Sequence, residues 1–453
     1  MKNKKELIIY IILVILILLT IVYLIINKTN REKDNDIAID KITDIDTTVD
    51  LDNSDETINW DNYQTKDLTL TDSITITTGG IYNLSGTITD GMITVDTNDY
   101  VKLILNNVSI TNSSGPAIYV KKAKTVLIYL SDNSNNYLED SSNYSNYDED
   151  INATIYSKDD LVLDGTGSLT VKANYQDGIV SKDDLKIING NYTISSADDS
   201  IHADTEVIID NGNIDIKESY EGIEAAKITI NNGDIKIVAS DDGINVAGGS
   251  DQSSMNRPGV NNYTNNTTNI LTINDGNIYV NASGDGIDIN GNGYIYGGTI
   301  IVDGPTSNGD NALDYDGELV VNGGSLIAAG SSGMVQGISS NSTQYNATII
   351  FSNSYTGKKI TITDENENTI LEYTPTKTYQ AVTVSSSKLK KGTTYTIKID
   401  NETYTSFTVS SISTTVGTSN RMNNGGNMPG NGENPNNGNE PAGKPNGNQP
   451  ERK

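Results

Sequence analysis

The chain has 453 residues, of which 35% are hydrophobic and 6% aromatic, so it is three times the usual domain length of ~150 residues yet too poor in apolar mass for several compact aromatic cores. With 31 basic against 59 acidic residues its formal charge is −28, which argues against nucleic acid as a partner and for a solvated exterior that attracts cations. The lack of cysteine excludes disulfides and thiolate ligands, and a single histidine excludes a histidine-rich zinc site, so a bound metal should have oxygen ligands.

Residues 7–26 (LIIYIILVILILLTIVYLII) are a 20-residue run without a charge, preceded by Lys2, Lys4 and Lys5. At ~1.5 Å per residue the run matches a ~30 Å hydrocarbon core. It is predicted to be a single transmembrane helix with residues 1–6 cytoplasmic and the bulk of the chain extracellular, at the cell surface. A cleaved signal peptide is the competing reading; the length of the run and the lack of an A-x-A site behind it favour an uncleaved anchor. Residues 27–64 form an acidic linker whose aspartates repel one another and extend it.

Residues 65–150 are strand-rich and read as the first coils plus an N-terminal cap, with Asn133–Asp150 as a surface excursion. From about residue 153 the chain realigns with itself. Units begin at Ala153, Gly178, Ser200, Gly222, Gly243, Gly286 and Ala312, with steps of 22, 22, 21, 43 and 26 residues from Gly178 onward. The long step contains a polar stretch, GGSDQSSMNRPGVNNYTNNTTN, read as a looped-out insertion. Each unit carries a turn pair: Asp164-Gly165, Asn189-Gly190, Asn211-Gly212, Asn232-Gly233, Asp275-Gly276, Gly297-Gly298 or Asn322-Gly323. Between turns the apolar residues alternate with period two, the pattern of strands.

A unit of about 22 residues with three strands cannot bury its apolar face alone, and stacking coil on coil as a parallel β-helix satisfies it. Ile155, Ile179, Ile201, Ile223, Ile244, Ile287 and Leu313 are the predicted inward positions of the first strand, stacked ~4.8 Å apart. A β-sandwich or a propeller is the alternative, and propeller blades need about 40 residues each. The helix domain is placed at 65–344, a small antiparallel β module at 345–412, capping the column or lying beside it, and a disordered Asn/Gly/Pro tail at 413–453.

The stretches GGIYNLSGTITDGMITVD and VKLILNNVSITNSSGPAIYVKKAKTVLIYLSD, with the D-G-I coils behind them, resemble a bacterial extracellular carbohydrate-binding domain family of polysaccharide-lyase-like fold. The resemblance covers roughly residues 65–410. It implies an all-β, right-handed parallel β-helix with calcium bound along it, and binding of cellulose or acidic polysaccharide without cleavage.

Aligning the coils stacks Asp177, Asp199, Glu221, Asp242 and Asp285 at one corner, with Asp198, Asp241 and Asp310 one step earlier. The outward position after the inward isoleucine adds a column of His202, Glu224, Asn245, Asp288 and Asp314. Carboxylates one rung apart repel by about 0.9 kcal/mol in water and ~3.5 kcal/mol at an effective dielectric of 20, so the ladder calls for a counterion. A hard cation with six to eight oxygen ligands suits it, and calcium fits better than magnesium, which holds stricter octahedral geometry. The competing explanation is that Asp and Asn sit at corners because they favour turns. The residue after each acid is Gly or Ser, which agrees with either cause.

A uronate lyase would need calcium and a basic side chain, for which Lys158 and Lys182 are available. Hydrolysis would need paired carboxylates, and Asp159-Asp160, Asp183-Asp184, Asp198-Asp199 and Asp241-Asp242 are candidates, although neighbours in a strand point to opposite faces. His202 reads as a surface residue beside Glu224 rather than a base. Tyr156, Tyr175, Tyr220, Tyr294 and Tyr315 fall within or near the coils without forming a sugar-binding stripe. The expected function is that of a membrane-anchored, calcium-stabilised protein that binds cellulose or acidic polysaccharide without cleavage. A calcium-dependent uronate lyase and a structural adhesin or spacer are the alternatives.

Overall fold

A computed structural model describes residues 58–144, 151–247 and 268–418. The predicted membrane helix, most of the acidic linker and nearly all of the tail lie outside the described residues. Among the described residues no helix is long and apolar enough to cross a membrane. They are all-β apart from one 3-10 turn at Trp60–Asn62, with one large, mostly parallel sheet of 30 strands and one antiparallel sheet of four.

The parallel strands fall into three ladders, one strand of each per coil. The first runs through Ile74–Ile76, Ile93–Asp96, Ile118–Lys122, Ala153–Ser157, Asp177–Ser181, the starts of Ile201–Ile209 and Ile223–Ile230, then Ile244–Val246, Ile287–Ile289 and Leu313–Tyr315. Its register pairs Ile155 with Ile179, Ile179 with Ile201, Ile201 with Ile223, Ile223 with Ile244, Ile244 with Ile287 and Ile287 with Leu313. The predicted inward column is therefore present, and it continues upstream through Ile118 and Ile93 to Ile74. Ile155, Ile179, Ile201, Ile223 and Ile244 are 0% exposed, each burial stabilising the fold by ~1.5–3 kcal/mol. A one-residue slip would turn this whole buried column to the outer face, which is why the register is strongly specified.

The corners are equally repetitive. Gly212, Gly233 and Gly276 have φ of 126°, 123° and 111°, and a Cβ on Gly233 would lie 2.9 Å from the Gly212 carbonyl oxygen below it. In the last unit the left-handed residue is Gly324, at φ 74°, and not Gly323 of the predicted Asn322-Gly323 pair. The strand Ile270–Ile273 stands in register with Lys227–Ile230, and nearly all of the insertion expected between Val246 and Ile270 lies outside the described residues.

One expectation is corrected. Asn133–Asp150 is not wholly a surface excursion: Asn135–Glu139 is a strand of the third ladder, paired in parallel with Ser109–Thr111 and Ser168–Lys172. Its one apolar inward residue, Leu138, is fully buried and suffices to hold a strand whose polar composition hid it. The C-terminal module continues the large sheet from the last coil. Tyr379–Ser386 pairs antiparallel with Ser325–Gly330, the last strand of the third ladder, and Asn346–Tyr355 pairs with Tyr379–Ser386 in turn. The separate four-stranded sheet holds Ile360–Thr363, Thr369–Tyr373, Thr394–Ile399 and Glu402–Thr408.

Candidate metal centre

The outer column of the first ladder is set by the same register as the inner one. It runs Tyr119, Tyr156, Val180, His202, Glu224, Asn245, Asp288, Asp314. Its upstream half is apolar, with Tyr156 and Val180 buried among Ile151 and Ala153 and packed by Tyr119 and Tyr144. Its downstream half is polar. The column faces away from the core, yet His202 is only 8% exposed, Glu224 1% and Asn245 5%, so His202 is a buried residue and not the surface residue expected.

The corner acids also align. Backbone hydrogen bonds from Gly178, Ser200, Gly222 and Gly243 reach the carbonyls of Asp199, Glu221, Asp242 and Asp285, one coil on. The small residues that follow the acids owe their size to the column itself: a Cβ on Gly222 would lie 2.3 Å from the Gly243 carbonyl oxygen and 2.4 Å from Ile237 Cγ2. Rung crowding explains them without a ligand.

Among the described residues three groups bring their ligating atoms within 4.8 Å of one another: Asp242 with Asp285 and Asp288, Asp199 with His202 and Glu224, and Asp160 with Asp183 and Asp184. In the first, Asp242 Oδ1 accepts the Asp285 N–H at 2.6 Å and Asp285 Oδ1 accepts the Asn311 N–H at 2.5 Å, so main-chain donors orient both carboxylates. Burial, followed by repulsion from Asp288 and Asp285, raises the Asp242 pKa well above its ordinary value. Burial and the Asp285 and Asp314 charges do the same for Asp288, and burial pushes Asp285 up to about 7. Three carboxylates in this state are short of a cation. Oxygen-only donors on part-buried side chains, oriented by amide hydrogen bonds, fit a hard divalent ion.

In the second group His202 Nδ1 lies 2.8 Å from Glu224 Oε2 and 3.4 Å from Asp199 Oδ2. Burial alone would lower the His202 pKa, but hydrogen bonds to Asp199, Asp204 and Glu224 outweigh it and raise the pKa well above its ordinary value. Burial pushes Asp199 up to about 7. Upstream, Asp177 Oδ1 accepts the Asp199 N–H at 3.2 Å and Asp177 Oδ2 accepts from Asn152. Glu221, pushed up to about 11 by burial and by Asp199 and Glu224, accepts from Asn245 Nδ2 at 2.7 Å.

The remaining expected ligands lie outside these groups. Asp314 Oδ1 accepts from Gln336 Nε2 at 2.6 Å, Asp310 Oδ2 from the Ser307 hydroxyl at 2.5 Å, and the carbonyls of Asp198 and Asp241 serve the corner backbone. The third group went unread as a ligand set. Asp183 sits in the bend before its strand, which frees it from strand alternation and lets it join Asp184 and Asp160. The repeated S-K-D-D at Ser157–Asp160 and Ser181–Asp184 was the available signal. Burial, then Asp183, pushes Asp160 up to about 8.

Residues 71–254 match a family model described as carbohydrate-binding domain-containing protein. The resemblance read from the sequence is thus borne out on that stretch. A carbohydrate-binding domain-containing protein of Acetivibrio thermocellus is 42% identical over 128 residues, 27% of this chain and 45% of that protein; the chain spans less than half the length of this relative. A solved structure described as a polysaccharide lyase-like protein from C. thermocellum, gadolinium derivative, shares 29% identity, covers 56% of this chain and 83% of that one, and superposes with a TM-score of 0.36.

Proposed function

We propose that the chain is an extracellular carbohydrate-binding protein whose β-column is held by calcium. The observation that carries the calcium is the Asp242, Asp285 and Asp288 group, with ligating atoms within 4.8 Å and all three carboxyls raised in pKa. The family match over residues 71–254 supports carbohydrate as the ligand. Three ladders of parallel strands joined coil to coil support a parallel β-helix, and the near-universal hand of parallel crossovers favours the right-handed form. Within this reading 65–344 is the binding domain and 345–412 a C-terminal module sealing its last coil. Residues 7–26 form a single-pass anchor with the N-terminus cytoplasmic, joined to the column by the acidic linker 27–64.

The glycan is cellulose or an acidic polysaccharide, taken up without cleavage. Calcium shared between the carboxylate column and a uronate would bridge two like charges, whereas a neutral glucan would lie on the flat outer faces directly. Pull-down of the full-length chain on cellulose and on polygalacturonate coupled covalently to beads, in calcium and in chelator, tests this. Retention on either matrix supports binding, and loss on chelation from polygalacturonate alone supports the calcium bridge. No retention on any polysaccharide, with the fold intact, overturns it. Unsaturated products absorbing in the ultraviolet would identify a lyase instead.

A further inference from the structure

The Asp199, His202 and Glu224 group differs from the other two in kind, because one of its donors is nitrogen. We propose that it is a second metal site, selective for a divalent transition ion of the zinc type over calcium. It stands independently of the calcium reading at Asp242, Asp285 and Asp288.

Four observations carry it. The three side chains are buried, with His202 the most exposed at 8%. The 3.4 Å between His202 Nδ1 and Asp199 Oδ2 matches a small tetrahedral ion, since metal–ligand distances of about 2.0–2.2 Å set donors about 3.4 Å apart; the 2.8 Å between Nδ1 and Glu224 Oε2 is a hydrogen bond that must open by about 0.6 Å to admit the ion. Glu224 Oε1 is buried and has no hydrogen-bond partner, and the same is true of Oδ1 of Asn245, which stands in register with Glu224 on the next rung. The far side of the imidazole is built as metal-binding histidines are: Nε2 lies 3.2 Å from Asp204 Oδ1, and Lys182 Nζ lies 2.6 Å from that same oxygen. An outer carboxylate accepting from Nε2–H holds that proton in place and leaves Nδ1, which faces Asp199 and Glu224, as the nitrogen that binds the metal. Coordination replaces the Nδ1 proton, which leaves to solvent. Imidazole nitrogen is a poor partner for calcium and a good one for zinc, nickel or cobalt, so two neighbouring stretches of one column sort ions by a single donor.

The experiment uses the full-length chain, stripped with chelator, saturated with calcium and then titrated with cobalt(II) as a spectroscopic stand-in for zinc. The expected result is one cobalt equivalent that calcium does not displace, with visible d–d absorption. His202→Gln should abolish it. Asp204→Asn, which alters only the positioning carboxylate, should weaken it by about 10- to 100-fold, while Asp288→Asn should leave it unchanged and lower calcium binding instead. Because the chain contains one histidine, its imidazole proton resonances in the wild-type protein give a readout that needs no variant to fold, and cobalt should shift them strongly. Imidazole resonances unmoved by cobalt, or a calcium-resistant cobalt equivalent that survives His202→Gln, would overturn the site. Loss of calcium binding with the cobalt site intact would overturn the calcium reading alone.

Discussion

Gly222 shows how far one atom matters in this column. Its neighbours leave no room for a Cβ, which would lie 2.3 Å from backbone of the next coil, so Gly222→Ala should destabilise by roughly 1–3 kcal/mol through overpacking. A denaturant midpoint equal to that of wild type would show that the rungs can separate there. Ile223→Ala acts from the opposite side. It opens a cavity between Ile201 and Ile244, its ladder partners, and should cost about 2–5 kcal/mol by the same measurement. Both positions were readable, because a stacked fold writes the same residue at the same place in every unit. His202 was not: its identity was visible, but its burial depends on what lies around the outer column, which no repeat pattern records.

At the scale of elements, the last coil is sealed by main-chain pairing together with apolar packing. Ser325–Gly330 takes Tyr379–Ser386 as an antiparallel partner, and Ile327 and Ala329 turn outward into the apolar cluster of the module. A chain ended at Gln344 should expose a bare edge strand and that apolar face, and should self-associate. Light scattering that finds such a chain as monomeric as the full one would contradict this. The module is also pinned at a distance. Asp303, 1% exposed, accepts from the Tyr279 hydroxyl at 3.0 Å and from the Thr376 hydroxyl and N–H at 2.5 and 3.1 Å. Asp303→Ala should therefore speed amide hydrogen exchange at residues 373–378, and unchanged protection there would remove the pin. Of this, the sequence offered only a cap on the column as one of two placements for the module. The antiparallel module was predicted as a class, but its attachment joins residues more than 70 positions apart that share no repeat. Asn135–Glu139 was missed for a related reason: its pairing partners carry the strand signal that its own polar side chains lack.

For the whole molecule, a stack of near-identical coils concentrates like charges in lines. Asp285 at about 7, Asp184 at about 6 and Asp160 at about 8 all lie above their ordinary values, with burial the largest cause. A carboxyl whose folded pKa is raised stabilises the fold below its unfolded pKa of about 3.9, and that contribution is lost as pH rises through the folded value. In chelator, stability should therefore fall between about pH 4 and pH 8, and a divalent cation should restore it at the upper end. The repeat made these columns readable as lines of acid. It could not divide them into the groups that converge, because convergence depends on bends such as that at Asp183.

The most direct test of the account is the melting temperature of the full-length chain at neutral pH, in millimolar calcium and in chelator, for wild type and for Asp285→Asn/Asp288→Asn. Calcium bound in the column should raise the wild-type melting temperature by several degrees. In the double variant the melting temperature in chelator should lie above that of wild type, because two repelling charges are gone, and the response to calcium should be much smaller. Equal melting temperatures for wild type with and without calcium would contradict calcium binding in the column.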